Sequence, residues 1–247
     1  VALRTDYALL ERVAGSSLPW SYHTFVETHG GKTFEQILSD TRRELGLPYN
    51  ERLVQDLISE ELEQVVAAIE RGELEEVPGA ARVIRALVGE GRDLFIVSSS
   101  HRSRVEASVR AVGLGDIVAS EQIKSAQSDY APPRPKPDPS CYIDMTLARM
   151  AHDTSRAWAI EDSVTGLTAA AAARDNLQAQ LAERGFEFPI IWFTGLVEPK
   201  HYPVWKRRAL ELHVPFEVTT WDQIPHLFDL VESGKKAEAE ERYGLRR

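Results

Sequence analysis

Cysteine is nearly missing from this chain. Cys141 is the only one, so no disulfide can close within it, and a lone thiol fits a reducing compartment such as the cytoplasm. Long apolar runs are missing as well: no stretch approaches the roughly 18 consecutive apolar residues that a membrane-crossing helix needs. The opening residues, Val1 to Leu10, have neither a basic segment followed by an apolar one nor an initiator methionine, and the expectation is that the chain begins inside a longer protein. Positive charge is in deficit, with 29 Lys and Arg against 38 Asp and Glu and a net charge of −9. That balance disfavours capture of nucleic-acid phosphates, which needs an excess of cations. The seven histidines show no paired metal-ligand spacing, and no internal repeat is present. The expectation from these absences is a cytoplasmic, monomeric protein acting on a small molecule, with no nucleic-acid or membrane partner.

What is there suffices for an enzyme. A length of 247 residues allows one large domain or two smaller ones, and a 43% hydrophobic and 27% charged composition is ordinary for a globular chain. From Thr33 to about Gly72 the apolar residues Leu53, Leu57, Leu62, Val65, Val66 and Ile69 follow helical spacing, with no strand-like alternation. After the turn Val77-Pro78-Gly79, short apolar runs alternate with helical stretches, the pattern of a parallel sheet covered by helices. Strands are expected at Leu94–Val97, Ile117–Ala119, Ala157–Ile160, Pro189–Phe193 and Pro215–Val218. Helices are expected at Gly79–Glu90, Arg102–Val112, Ser140–Met150, Ser163–Arg184 and Trp221–Glu232. The fold class is therefore α/β: a Rossmann-like parallel core over residues 76–233, a small all-helical domain over 1–75, and a charged tail, 234–247, expected as a frayed helix or disordered.

In such a sheet the ligand lies beyond the carboxyl ends of the strands, so the residues just after each apolar run carry the information. Ser98-Ser99-Ser100 offers hydroxyls and helix-opening amides for phosphate oxygens, or simply caps the following helix. Arg134-Pro135-Lys136-Pro137-Asp138-Pro139 holds one lysine between prolines that fix its approach, or is a solvated proline-rich loop. Glu161-Asp162 places adjacent carboxylates at a strand end, where Mg²⁺ would relieve their repulsion, unless Asp162 or Ser163 serves only as a helix cap.

Taken in order, these places resemble the core of the haloacid dehalogenase superfamily, of the β-phosphoglucomutase and phosphatase-like kind. The stretches ending in Ser98-Ser99-Ser100-His101-Arg102, the Arg134–Pro139 hexapeptide, and Ala159-Ile160-Glu161-Asp162-Ser163 are similar to its second, third and fourth motifs. The resemblance implies that Ser98 and Ser99 bind the transferring phosphoryl group, that Lys136 neutralises phosphate and nucleophile charge, and that Glu161 and Asp162 hold Mg²⁺. The helical block resembles the family's small cap, and His29-Gly30-Gly31-Lys32-Thr33 its cap loop, which makes Gly31 and Lys32 candidate substrate contacts. The activity implied is phosphatase or sugar-phosphate mutase chemistry on a small phosphorylated metabolite through an aspartyl-phosphate.

The pattern is incomplete. The nucleophile and the acid–base aspartate of the family lie in a D-x-D-G-T segment ending its first strand, and no two aspartates separated by one residue occur anywhere in this chain. Asp6 is no substitute, lacking a preceding apolar strand and a following Gly-Thr. The expectation is truncation, a sheet opened at its centre, and no phosphoryl transfer by the chain as it stands. The alternative is a non-catalytic relative that keeps a phosphate and metal pocket as a regulatory module. A haloacid dehalogenase proper needs no metal, and the Glu161-Asp162 pair argues against it. Residues 125–133 read as an insertion, and the aromatic segment Trp192–Trp205 as packing.

Overall fold

The computed structural model describes residues 1–29, 32–46, 50–149 and 155–246. The chain divides into two compact units: Val1–Glu75 together with Ser100–Asp116, and Glu76–Ser99 together with Ile117–Arg247.

The first unit is helical. It opens with α1 (Ala2–Ala14), which stops where Gly15 takes the left-handed conformation at φ 66°. Next come α2 (Tyr22–His29) and α3 (Phe34–Leu45), the latter started by a reciprocal capping box between Thr33 and Gln36. In α4 (Glu51–Glu70) the Asn50 side chain accepts the Leu53 N–H at 3.1 Å. Leu9, Leu10, Phe25, Ile37, Leu38 and Leu57 form the apolar centre. After α5 (Ala80–Gly89) and β1 (Ile96–Ser98) of the second unit, the chain returns to the helical one with α6 (Arg102–Ala111), whose Ala107 packs against Val65 and Ile69 of α4.

The second unit is built on parallel strands. β2 (Ile123–Ser125) pairs with β1 in the register Ile96↔Ile123 and Ser98↔Ser125. After α7 (Ser140–Arg149) come β3 (Ala159–Glu161), α8 (Val164–Gln180), β4 (Ile190–Phe193), α9 (Tyr202–Glu211), β5 (Phe216–Val218), α10 (Gln223–Glu232) and α11 (Lys236–Tyr243). Among the described residues the strands form two sheets, β1–β2 and β3–β4–β5, all neighbours parallel. β4 explains the second sheet: its four apolar residues are all buried because alternate ones face opposite layers. Ile190 and Trp192 join Leu167, Leu177 and the alanines of α8 on one side, while Ile191 and Phe193 join Phe216, Ile224, Leu227 and Phe228 on the other. Ala169, Ala170 and Ala173 are fully buried, since a side chain of one methyl lets the helix lie close on the strands.

Two expectations are corrected, the second strand and the tail. The second strand is Ile123–Ser125, not Ile117–Ala119, which is irregular and leads into a 3₁₀ turn at Ser120–Gln122. The Gln122 amide ties that turn by donating to the Leu94 carbonyl at 2.9 Å and accepting the Ala119 N–H at 2.8 Å. Within residues 125–133, the Ser125 N–H donates to Asp129 Oδ2 (2.8 Å) and the Asp129 N–H to the Ser125 carbonyl (2.9 Å), which closes a turn. The tail is an ordered helix: Ala239 is fully buried, Tyr243 shares a hydrogen bond with His226 at 2.8 Å, and the Leu245 N–H donates to the Pro215 carbonyl at 3.2 Å. Helix α9 was not anticipated, and its aromatic residues do pack: the Tyr202 ring stacks on Trp192 at 5.4 Å.

Within the helical unit two acids, Asp6 of α1 and Glu61 of α4, are buried beside Arg104 of α6, which lies 3.6 Å from Glu61. Burial first, then the neighbouring Glu61 carboxyl, pushes Asp6 up to about 8, against the pull of Arg104. An acid whose folded pKa lies above its unfolded one stabilises fully below the ordinary carboxyl range and loses that contribution as pH rises towards the folded value. We expect the opening free energy of α1 and α4, from hydrogen exchange corrected for the intrinsic base-catalysed rate, to fall between pH 5 and about 8 by up to about 1.4 kcal/mol per pH unit for one proton, and this slope to flatten in Asp6→Asn. An equal slope in both proteins would exclude protonation of Asp6 as its cause.

Candidate active site

Three chain segments of the second unit converge at the carboxyl ends of β1 and β3. Ser98 ends β1 and is half-buried, and its carbonyl accepts the Ala126 N–H at 2.8 Å, which fixes the strand end against the loop after β2. Ser99 follows, and its Oγ accepts the backbone N–H of Lys136 at 3.1 Å. The loop carrying Lys136 is held on its far side too, where Asp138 Oδ1 caps α7 by accepting the Ser140 N–H at 2.8 Å. The lysine is thus anchored through its main chain before its side chain makes any contact.

The Lys136 ammonium is 13% exposed and forms an ion pair with Oε1 of Glu161, the last residue of β3, whose side chain is 7% exposed. At that burial each charge depends on the other, because desolvation of either alone costs several kcal/mol. Tyr142 of α7 completes the arrangement. Its hydroxyl donates to the same Glu161 Oε1, lies 3.4 Å from Lys136 Nζ, and its ring centroid sits 5.2 Å from that ammonium. Burial, followed by the Glu161 charge, raises the Tyr142 phenol well above its usual range, so it serves as a donor throughout the working pH range. On the other side the Glu161 carboxylate rests against Gly166 of α8: a Cβ built there would lie 1.7 Å from Oε2.

Asp162 is exposed, and the residue that caps α8 is Ser163, whose side chain accepts the Gly166 N–H at 3.0 Å. Asp162 is therefore not the capping residue. Two adjacent oxygen acids suit Mg²⁺, which takes one or two carboxylates and completes its shell with water and substrate oxygens. Among the described residues no group of three or more His, Cys, Asp or Glu side chains is placed to hold a metal ion, so a closed zinc-type cage is not offered there.

Of the remaining candidates, Lys32 lies in the helical unit, ion-paired with Asp40 at 2.9 Å. Gly31 lies outside the described residues. His101 caps α6, its Nδ1 accepting the Ser103 N–H at 3.4 Å. Sequence reasoning missed Tyr142 and Gly166. The second had a signal: a glycine inside a helical pattern, five residues beyond an acid, usually marks a close approach. Tyr142 reads as one more apolar position of α7, and nothing in its spacing distinguishes it.

The family model of haloacid dehalogenase-like hydrolases matches residues 6–174. The chain belongs to this family. Protein CbbY of Rhodobacter capsulatus is 28% identical over 174 residues, which are 67% of this chain and 73% of that protein. A haloacid dehalogenase-like protein of unknown function from Agrobacterium tumefaciens superposes with a TM-score of 0.63 at 23% identity, over 94% of this chain and 91% of that one. A phosphonoacetaldehyde hydrolase-like protein from Oleispira antarctica does so with a TM-score of 0.64 at 10% identity, over 98% and 89%. At these identities the two structures speak for the fold alone. Ser98, Ser99, Lys136, Glu161 and Asp162 of this haloacid dehalogenase-like hydrolase all fall inside the matched segment, whereas β4, α9, β5, α10 and α11 follow it.

The contact between Glu161 and Gly166 is testable by itself. Alanine at a helix position ordinarily stabilises by up to about 1 kcal/mol relative to glycine. Here Gly166→Ala should instead destabilise by roughly 1–3 kcal/mol in urea unfolding, because the methyl displaces a buried carboxylate. A stabilised variant would show that Glu161 is not packed against α8.

Proposed function

We propose that this hydrolase takes a phosphoryl group from a small phosphorylated metabolite, as a phosphatase or sugar-phosphate mutase. The observation that carries the reading is Lys136, a buried ammonium fixed between two strand ends by Ser99 through its backbone and by Glu161 through its side chain. A cation held in this way keeps its position as charge develops on a phosphoryl oxygen, and so acts without a reorganisation cost. The Ser98 hydroxyl and the amides that follow it donate to the phosphate, while Glu161 and Asp162 are the residues that would hold Mg²⁺. When bound, the ion supplies Lewis-acid polarisation of the phosphate.

The nucleophilic aspartate and its acid–base partner come, in this reading, from a D-x-D-G-T strand preceding Val1. Two features support that: no D-x-D occurs in the chain, and among the described residues β1 pairs only with β2, and β3 only with β4. A parallel strand between them would satisfy both open edges. The missing D-x-D equally favours a second reading, a phosphate- and metal-binding relative without turnover.

Phosphate release from a panel of small phosphomonoesters, with and without Mg²⁺, separates the two. The chain of residues 1–247 should be inactive, and a chain extended upstream through D-x-D-G-T should be active. Activity of the shorter chain would overturn the nucleophile assignment, and inactivity of the extended one would favour the binding module. In the active form Lys136→Ala should lower the rate by more than tenfold, about 1.4 kcal/mol of barrier. A rate closer to wild type would remove Lys136 from the chemistry.

A further inference from the structure

The hydroxyl of Tyr142 on α7 reaches Glu161 at the end of β3, and the proposed chemistry gives it no task. A buried phenol needs a partner for its O–H, and here the partner is Glu161 Oε1, the oxygen that also receives the Lys136 ammonium. The tyrosine itself cannot drift: only 8% of it is exposed, and its ring meets Phe188 edge-on at 6.1 Å within the core that α8 and β4 build. The Glu161 carboxylate is therefore bounded by two donors on Oε1 and by Gly166 behind Oε2. It cannot turn towards solvent without giving up both hydrogen bonds.

We propose that Tyr142 is a positioning residue, whose hydroxyl fixes the Glu161 carboxylate for a divalent cation while its ring seats the Lys136 ammonium for a phosphoryl oxygen. The inference rests on the reading of Glu161 as a metal acid and adds to it a determinant on α7. Without the hydroxyl, Lys136 alone holds Oε1, and one donor defines the orientation of a carboxylate less well than two donors from different elements do. Outer partners of this kind typically change metal affinity by about 10–100-fold when removed.

The test is calorimetric titration of the whole chain with Mn²⁺ alone, comparing wild type, Glu161→Gln, Tyr142→Phe and the double variant, each followed by thermal melting. Tyr142→Phe should bind Mn²⁺ about tenfold more weakly. In the Glu161→Gln background it should add no further loss, because the hydroxyl acts through that carboxylate. A merely structural tyrosine would lower the melting temperature in both backgrounds and leave the metal affinity alone. Should Tyr142→Phe not fold, Tyr142→Leu, which also removes the hydroxyl but leaves an apolar side chain, takes its place with the same expected loss. Affinity within threefold of wild type, or tighter, in the folded Tyr142 variant overturns the proposal while leaving the metal reading in place. Unchanged affinity in Glu161→Gln, or no binding by wild type, overturns both.

Discussion

A buried pair of opposite charges, Lys136 with Glu161, is the constraint around which the second unit is arranged. At 13% and 7% exposure either charge is costly without its partner, so the fold delivers both to one point, from a loop and from a strand end. The devices around them serve that delivery. Ser99 holds the lysine backbone, Asp138 starts the next helix directly after the loop, Tyr142 shares the acceptor oxygen, and Gly166 leaves room for the carboxylate. Apolar residues in place of a buried ion pair are often as stable, and the ends of parallel strands, where this pair is kept, are where the proposed reading puts the chemistry.

The segment after the family match is structural support for that place. β4 and β5 complete the three-stranded sheet whose edge strand ends in Glu161, and α9 covers it with Tyr202, which stacks on Trp192 and donates to both oxygens of Glu217 at 2.8 and 3.0 Å. In register, Glu161, Trp192 and Glu217 lie side by side across β3, β4 and β5. The fully buried Trp192 therefore separates the acid of the site from a second acid that has its own phenolic partner.

The sequence made the alternating part of this molecule legible because buried parallel strands are short apolar runs followed by polar strand ends. Ser98 and Glu161 are legible for that reason, and Lys136 because prolines flank it. The strand at Ile123–Ser125 was hidden by its composition, with a lysine at its centre and a serine at its end, while the apolar Ile117–Ala119 was recruited to irregular packing instead. Helix α11 was hidden by charge: Ala239 and Tyr243 dock it, two modest residues among many ionic ones. Tyr142 and Gly166 act through tertiary contacts with Glu161, across 19 and 5 residues of chain, and a linear pattern carries no trace of the first.

The central claim, that the strand-end acids beside Lys136 form a divalent-cation and phosphate site, is tested most directly by anomalous diffraction from crystals of the chain soaked in Mn²⁺ and inorganic phosphate. The account predicts an anomalous peak at the carboxylates of Glu161 and Asp162, with a phosphate beside the Lys136 ammonium and the Ser98 hydroxyl. Saturating Mn²⁺ with no peak at those two carboxylates, or a peak only elsewhere, would contradict it.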